Sequence, residues 1–159
     1  AEQAVLSVEG EYLNRQSKHT SKASHHTVLR LAGLVGPNRY PGTFFAGKTD
    51  IANGHIAVNL VHQIDVVNAI IFMMFGEVDE DKVQGIFNVV SNTHTSKEEF
   101  YRIACKLQQL ALPTFRGENA IGNDQANRIV ESDKLSNLGF CYQHHDLVAW
   151  LDKNAQESS

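Results

Sequence analysis

His26-Thr-Val-Leu-Arg-Leu-Ala32 is a short, nearly continuous apolar run broken by one arginine. Such a run suits a strand buried on both faces, as in a parallel sheet. It ends at Gly33, and Gly36-Pro37-Asn38 makes a turn. A second run of the same kind, Gly85-Ile-Phe-Asn-Val-Val90, reads as the second core strand. Between them, Gln63 to Phe75 follows a helical pattern. Asp65 stands near its start, where a carboxylate suits the helix dipole or caps the first turn. Its second half, Ile70-Ile-Phe-Met-Met-Phe75, is apolar all round, so this helix is expected to be buried on more than one side.

Working outward, Ala57 to Val61 reads as a short strand, and the Gly- and aromatic-rich segment Arg39 to Asn53 as a shaped loop with room for a short helix. Ala1 to about Gln16 reads as a helix. Val5, Val8 and Tyr12 follow its spacing, with Leu6 and Leu13 beside them. The polar stretch Ser17 to His26 reads as a loop. Thr95 or Ser96 caps a helix running to about Leu110, because Glu98 and Glu99 each sit three residues on, as a capping box requires. Thr114 to Arg128 reads as a loop over one end of the sheet. Ser132 to Leu138 is a short helix stopped by Gly139, and His145 to Asn154 a final amphipathic helix carrying Trp150.

Strand–helix alternation argues an α/β fold with a parallel sheet. Two long core strands cannot cover themselves, and the strand at 27–32 exposes an apolar edge. The chain is therefore expected to have a partner: a missing part of its own domain or a second copy, making a homo-oligomer.

The composition excludes several classes. The chain has 159 residues, 42% hydrophobic and 20% charged, enough for one domain with a core. A net charge of −4 leaves no basic footprint for nucleic acid. The longest apolar run, Ala69 to Phe75, is far short of the roughly 20 residues a membrane span needs. Neither a signal peptide nor a lipidation motif is expected, which with two unpaired, buried thiols at Cys105 and Cys141 implies a cytoplasmic location. The paired histidines His25-His26 and His144-His145 lack the convergence a zinc site needs.

Four motifs carry a resemblance. Leu29-Arg-Leu-Ala-Gly-Leu-Val-Gly-Pro37 is followed by Arg39. Then come Asn59-Leu-Val-His62-Gln-Ile-Asp65-Val, Gly85-Ile-Phe-Asn88-Val, and Ser132-Asp-Lys-Leu135 with Leu138-Gly139-Phe140. In this order and approximate spacing they resemble the extended short-chain dehydrogenase/reductases, the NAD-dependent epimerase/dehydratase group. The resemblance covers nearly the whole chain and implies the C-terminal half of such a protein. It implies a partial Rossmann-like, doubly wound parallel sheet over 1–110, holding the last core strands, and substrate-side helices over 111–159. The N-terminal dinucleotide-binding half is expected to be absent. No G-x-x-G-x-x-G is present, and none of Tyr12, Tyr40, Tyr101 or Tyr142 has Lys four residues on. The family's phosphate-binding turn and its Tyr–Lys catalytic pair are thus not in this chain.

The resemblance implies NAD or NADP in the complete protein, with none bound tightly to this chain. It places Ala32, Gly33, Leu34 and Val35, read as a loop, at the nicotinamide end of the cofactor, where open α/β sheets bind ligands. It implies Arg39, Asn59, His62 and Arg128 toward a small-molecule substrate, the arginines because their fork donates two parallel hydrogen bonds to an anion. Sugar-nucleotide epimerases of the family carry Asn where this sequence has Gly33, so one polar contact is missing. The expected function is the substrate-binding half of an NAD(P)-dependent epimerase, dehydratase or oxidoreductase, inactive as an isolated chain. The alternative is a non-catalytic binding or regulatory module that dimerises through the exposed strand or the apolar helix.

Overall fold

A computed structural model describes residues 26–79, 81–117 and 128–157. The expected helix at 1–16 and most of the loop after it lie outside the described residues. The elements in order are β1 (Thr27–Leu31), β2 (Gly33–Val35), α1 (Gly42–Phe45), β3 (Leu60–His62), α2 (Gln63–Phe75), β4 (Gly85–Val89), α3 (Lys97–Leu107), α4 (Asp133–Ser136) and α5 (Leu147–Glu157). The two core strands and the helix between them stand where the apolar runs place them.

The sheet is parallel throughout its described pairs. β1 pairs with β4 in the register Thr27–Gly85 to Leu31–Val89, and β2 pairs with β3 from Gly33–Leu60 to Val35–His62. β1 and β2 are one extended run that changes partner at a single residue. The Ala32 N–H donates to the Val89 carbonyl at 3.1 Å, and the next amide, Gly33 N–H, donates to the Asn59 carbonyl at 3.1 Å. The Leu60 carbonyl in turn accepts from Ser91 N–H at 2.9 Å, so β3 is also tied to the chain leaving β4.

This corrects two expectations. Ala32 to Val35 is not a loop, because β3 supplies a ladder partner that the run 26–32 does not reveal. Nor is β1 buried on both faces: Thr27, Arg30 and Leu31 are exposed, and among the described residues β4 is its one strand partner. The short strand expected at Ala57 begins instead at Leu60, with Ala57 forming only an isolated bridge to Ser96.

Two hydrophobic clusters divide the interior. The first joins Val35, Val58 and Leu60 to Phe100, Tyr101 and Ala104 of α3 and to Leu147, Trp150 and Leu151 of α5. The second lies beneath α2 and joins Val61, Val66, Ala69, Phe87 and Val89 to Leu135 and Phe140. Helix ends follow their local chemistry. The Ser96 hydroxyl accepts from Glu99 N–H at 3.2 Å and starts α3. Asp146 accepts from the Val148 and Ala149 amides before α5. Gly139 takes a φ of 98°, the left-handed value that lets the chain turn after α4. The expected burial of both thiols holds for Cys105 alone; Cys141 follows the turn at Gly139 and is exposed. Among the described residues no helix is long and apolar enough to cross a membrane, and no group of three or more His, Cys, Asp or Glu could hold a metal ion.

Candidate functional site

The junction of β1 and β2, at Gly33, meets the segment 128–131 through one side chain. Asn59, half-buried just before β3, donates from Nδ2 to the Arg128 carbonyl at 2.8 Å. Its Oδ1 accepts from Val130 N–H at 2.8 Å. Both halves of one carboxamide are thus satisfied by backbone groups of this short segment, which ties 128–130 to Asn59. Asn88 extends the clamp: its Nδ2 donates to the Glu131 carbonyl at 3.2 Å.

Gly33 belongs to the same assembly. Its amide is bonded to Asn59, and a β-carbon built on it would stand 2.8 Å from Leu60 Cδ2 and 3.4 Å from the Asn59 carbonyl. The buried Leu60 side chain fills the space that a larger residue would claim. Gly33, Asn59 and Arg128 are therefore linked directly, and Ala32, Leu34 and Val35 continue the strand on either side.

Beside this clamp lies an open groove of about 690 Å³, lined by Asn88, Arg128 to Glu131, Asp133 and Lys134. Lys134 is committed to the fold: Nζ donates to the Ile86 carbonyl at 3.1 Å and sits 4.0 Å from the centroid of the Phe87 ring. The Arg128 guanidinium is exposed and has no hydrogen bond or ion pair among the described residues. Its main chain is held and its charge is available, an arrangement suited to an anionic group.

Arg39 and His62 lie elsewhere. Arg39 is bridged with Gly36 across the turn. Its Nε donates to the Leu34 carbonyl at 2.8 Å, and its guanidinium carbon lies 5.3 Å from the centre of the Phe44 ring. His62 is buried and caps α2, Nδ1 accepting from Ile64 N–H at 3.2 Å. Its ring stands 4.0 Å from His144 and 4.8 Å from Trp150. Burial pushes its pKa from 6.5 down to about 4; His144 adds to the shift and Asp65 opposes it. A neutral ring whose Nδ1 accepts a bond carries its proton on Nε2, which has no protein partner among the described residues.

Asp65, expected as a cap, has a different task. Fully buried, it accepts from Gln143 N–H at 2.6 Å and His144 N–H at 3.0 Å, pinning the approach to α5. The cap belongs to His62 because Asp65 sits on the turn that faces residues 143–144. The bond from Asn88 to Glu131 is one that sequence reasoning misses. Its signal is present, since Asn88 stands inside the Gly-Ile-Phe-Asn-Val run, but the residue it reaches is 43 positions away.

No protein-family model matches the chain. Protein YeeZ of Escherichia coli K12 is 38% identical over 129 residues, which cover 80% of this chain and 44% of YeeZ. The chain thus spans about half the length of the curated relatives it matches. The human epimerase family protein SDR39U1, solved with NADPH, matches with a TM-score of 0.61 at 16% identity, over 90% of this chain and 52% of its own. The UDP-glucose 4-epimerase of Thermus thermophilus, in complex with NAD, matches with a TM-score of 0.59 at 16% identity, over 94% and 52%.

Proposed function

We propose that this chain, which has the fold of the C-terminal half of an extended short-chain dehydrogenase/reductase, is the substrate-binding half of an NAD(P)-dependent epimerase, dehydratase or oxidoreductase. The observation that carries the reading is the Asn59 clamp. It joins the β1–β2 junction to the segment bearing Arg128, whose guanidinium is exposed and has no partner among the described residues. On this reading Ala32 to Val35 border the nicotinamide of NAD or NADP, and Arg128 receives an anionic group of a small-molecule substrate. The cofactor supplies a hydride acceptor and donor at that end of the sheet; this chain supplies the wall that orients the substrate against it. Arg39 and His62 shape the turn and the helix start that flank the site. The remaining half of the fold, or a second copy, completes the sheet. Neither nucleic acid nor membrane has a part in this reading.

The glycine-rich turn and the Tyr–Lys pair are not in the sequence, so we expect no tight cofactor binding and no turnover from the isolated chain. Calorimetric titration with UDP and with NADPH tests this. Weak UDP binding that Arg128→Ala abolishes while the thermal midpoint stays unchanged supports the proposal. Tight NADPH binding, measurable hydride transfer, or UDP binding indifferent to Arg128→Ala would each overturn it.

A further inference from the structure

A second cavity, of about 530 Å³, lies between the turn at Pro37 and the start of α5. Its wall includes His62, His144, His145, Asp146 and Lys153, and it shares no residue with the groove beside Arg128. A volume of that order suits a small organic molecule.

One group of the wall is unsatisfied. His62 is 3% exposed, and its Nδ1 accepts from Ile64 N–H, so the ring proton is on Nε2. That nitrogen is buried and donates to nothing among the described residues. Native proteins leave few buried donors without an acceptor. Because Nδ1 is turned to the first turn of α2, Nε2 lies on the other side of the ring, where His144 and Trp150 pack.

The wall is held in place from several directions. Asp65 fixes the backbone of Gln143 and His144, and the His145 carbonyl accepts from Asn92 N–H at 3.0 Å. Trp150 is stacked on Tyr40, with ring centres 5.6 Å apart and planes 14° from parallel. Gly36 and Arg39 bridge across the turn that presents Pro37. A cavity framed in this way needs little ordering when it is filled.

The chemistry of the wall selects the ligand. Asp146 is already engaged: its Oδ1 accepts from Val148 and Ala149 N–H, and its charge stands at the positive end of α5. Lys153 is exposed and has no hydrogen bond or ion pair among the described residues. A buried N–H donor and an available ammonium call for an acceptor that is itself charged, which makes the stronger kind of hydrogen bond. We propose that this cavity binds a small organic molecule through an oxyanion, a carboxylate or a phosphate, which accepts the Nε2–H of His62 and faces the Lys153 ammonium.

Titrating the full, ¹⁵N-histidine-labelled chain with inorganic phosphate and, separately, with acetate tests this. The His62 ring signal, identified by its loss in His62→Asn, should move saturably with one anion or with both. Phosphate alone assigns a phosphate group, acetate alone a carboxylate, and both together an oxyanion of either source. His62→Asn keeps a capping side chain and should weaken binding, read at His144, about tenfold. Lys153→Gln, at an exposed helical position, should weaken it about threefold. Arg128→Ala should leave it unchanged, which separates this site from the groove. A His62 signal indifferent to both anions, a shift that never saturates, affinity untouched by Lys153→Gln, or binding that Arg128→Ala abolishes would each overturn the proposal.

Discussion

Phe100 and Phe75 are the same residue on two helices of similar length, one fully enclosed and the other 75% exposed. The contrast extends to the regions that hold them. Around Phe100, α3 is flanked by Tyr101 against Phe45, Tyr40 stacked on Trp150, and α5 closing the far side. That cluster is finished by residues the structure describes. Around α2 the inner side is finished, by Phe87, Val89 and Phe140, while Ile70, Ile71, Met74 and Phe75 face outward. A helix with one apolar stripe is satisfied by one partner; a helix apolar all round needs two. Among the described residues the molecule therefore has one region, carrying α3 and α5, whose apolar core is closed, and one, around α2, whose outer apolar side is open.

The comparison can be broken at several depths. Phe100→Ala should cost about 3–5 kcal/mol in urea unfolding, because it empties a site with no solvent route to refill it. A smaller loss would mean that the first cluster is looser than its burial implies. Asp65→Ala should cost about 2–3 kcal/mol, since two backbone N–H groups lose their acceptor inside the protein. His62 sharpens the same junction by pH. The unfolded residue titrates near 6.5 and the folded one near 4, so between those values the unfolded chain holds the extra proton. Stability is complete above pH 6.5 and falls as the pH drops toward 4. His62→Asn, which keeps a capping side chain, should flatten that part of the urea-midpoint profile. Ser96→Ala should remove about 1 kcal/mol by uncapping α3. Phe75→Ala should change stability by less than about 0.5 kcal/mol. A larger cost there would place Phe75 under a cover as well.

The sequence reveals elements wherever a local pattern repeats. Gln63 to Phe75 is legible to the residue, and the capping box locates α3 to within the choice of Thr95 or Ser96. The strands are legible as apolar runs but not as partners. β2 escapes because Gly33-Leu-Val35 is too short to show a period and is a strand only through β3, which lies well downstream at Leu60. The candidate site is legible in part. Asn59 and Arg128 stand out separately, and nothing in their spacing says that one side chain holds the other's backbone across 69 positions. Arg39 and His62, chosen for their chemistry, are held by Leu34 and Ile64, neighbours too close in sequence to suggest a ligand.

By itself the sequence determined that the chain is α/β, that its strands run parallel, and that α2 is apolar on more than one side. These follow from side-chain periodicity, which is a property of neighbouring residues. Only the tertiary structure decided where Ala32 hands the strand from β4 to β3, why Gly33 can stand against Leu60, and that Asn59 lays Arg128 beside them. Those facts depend on backbone groups far apart in the chain that must find partners once water is excluded, and a local pattern holds no record of which distant group that will be.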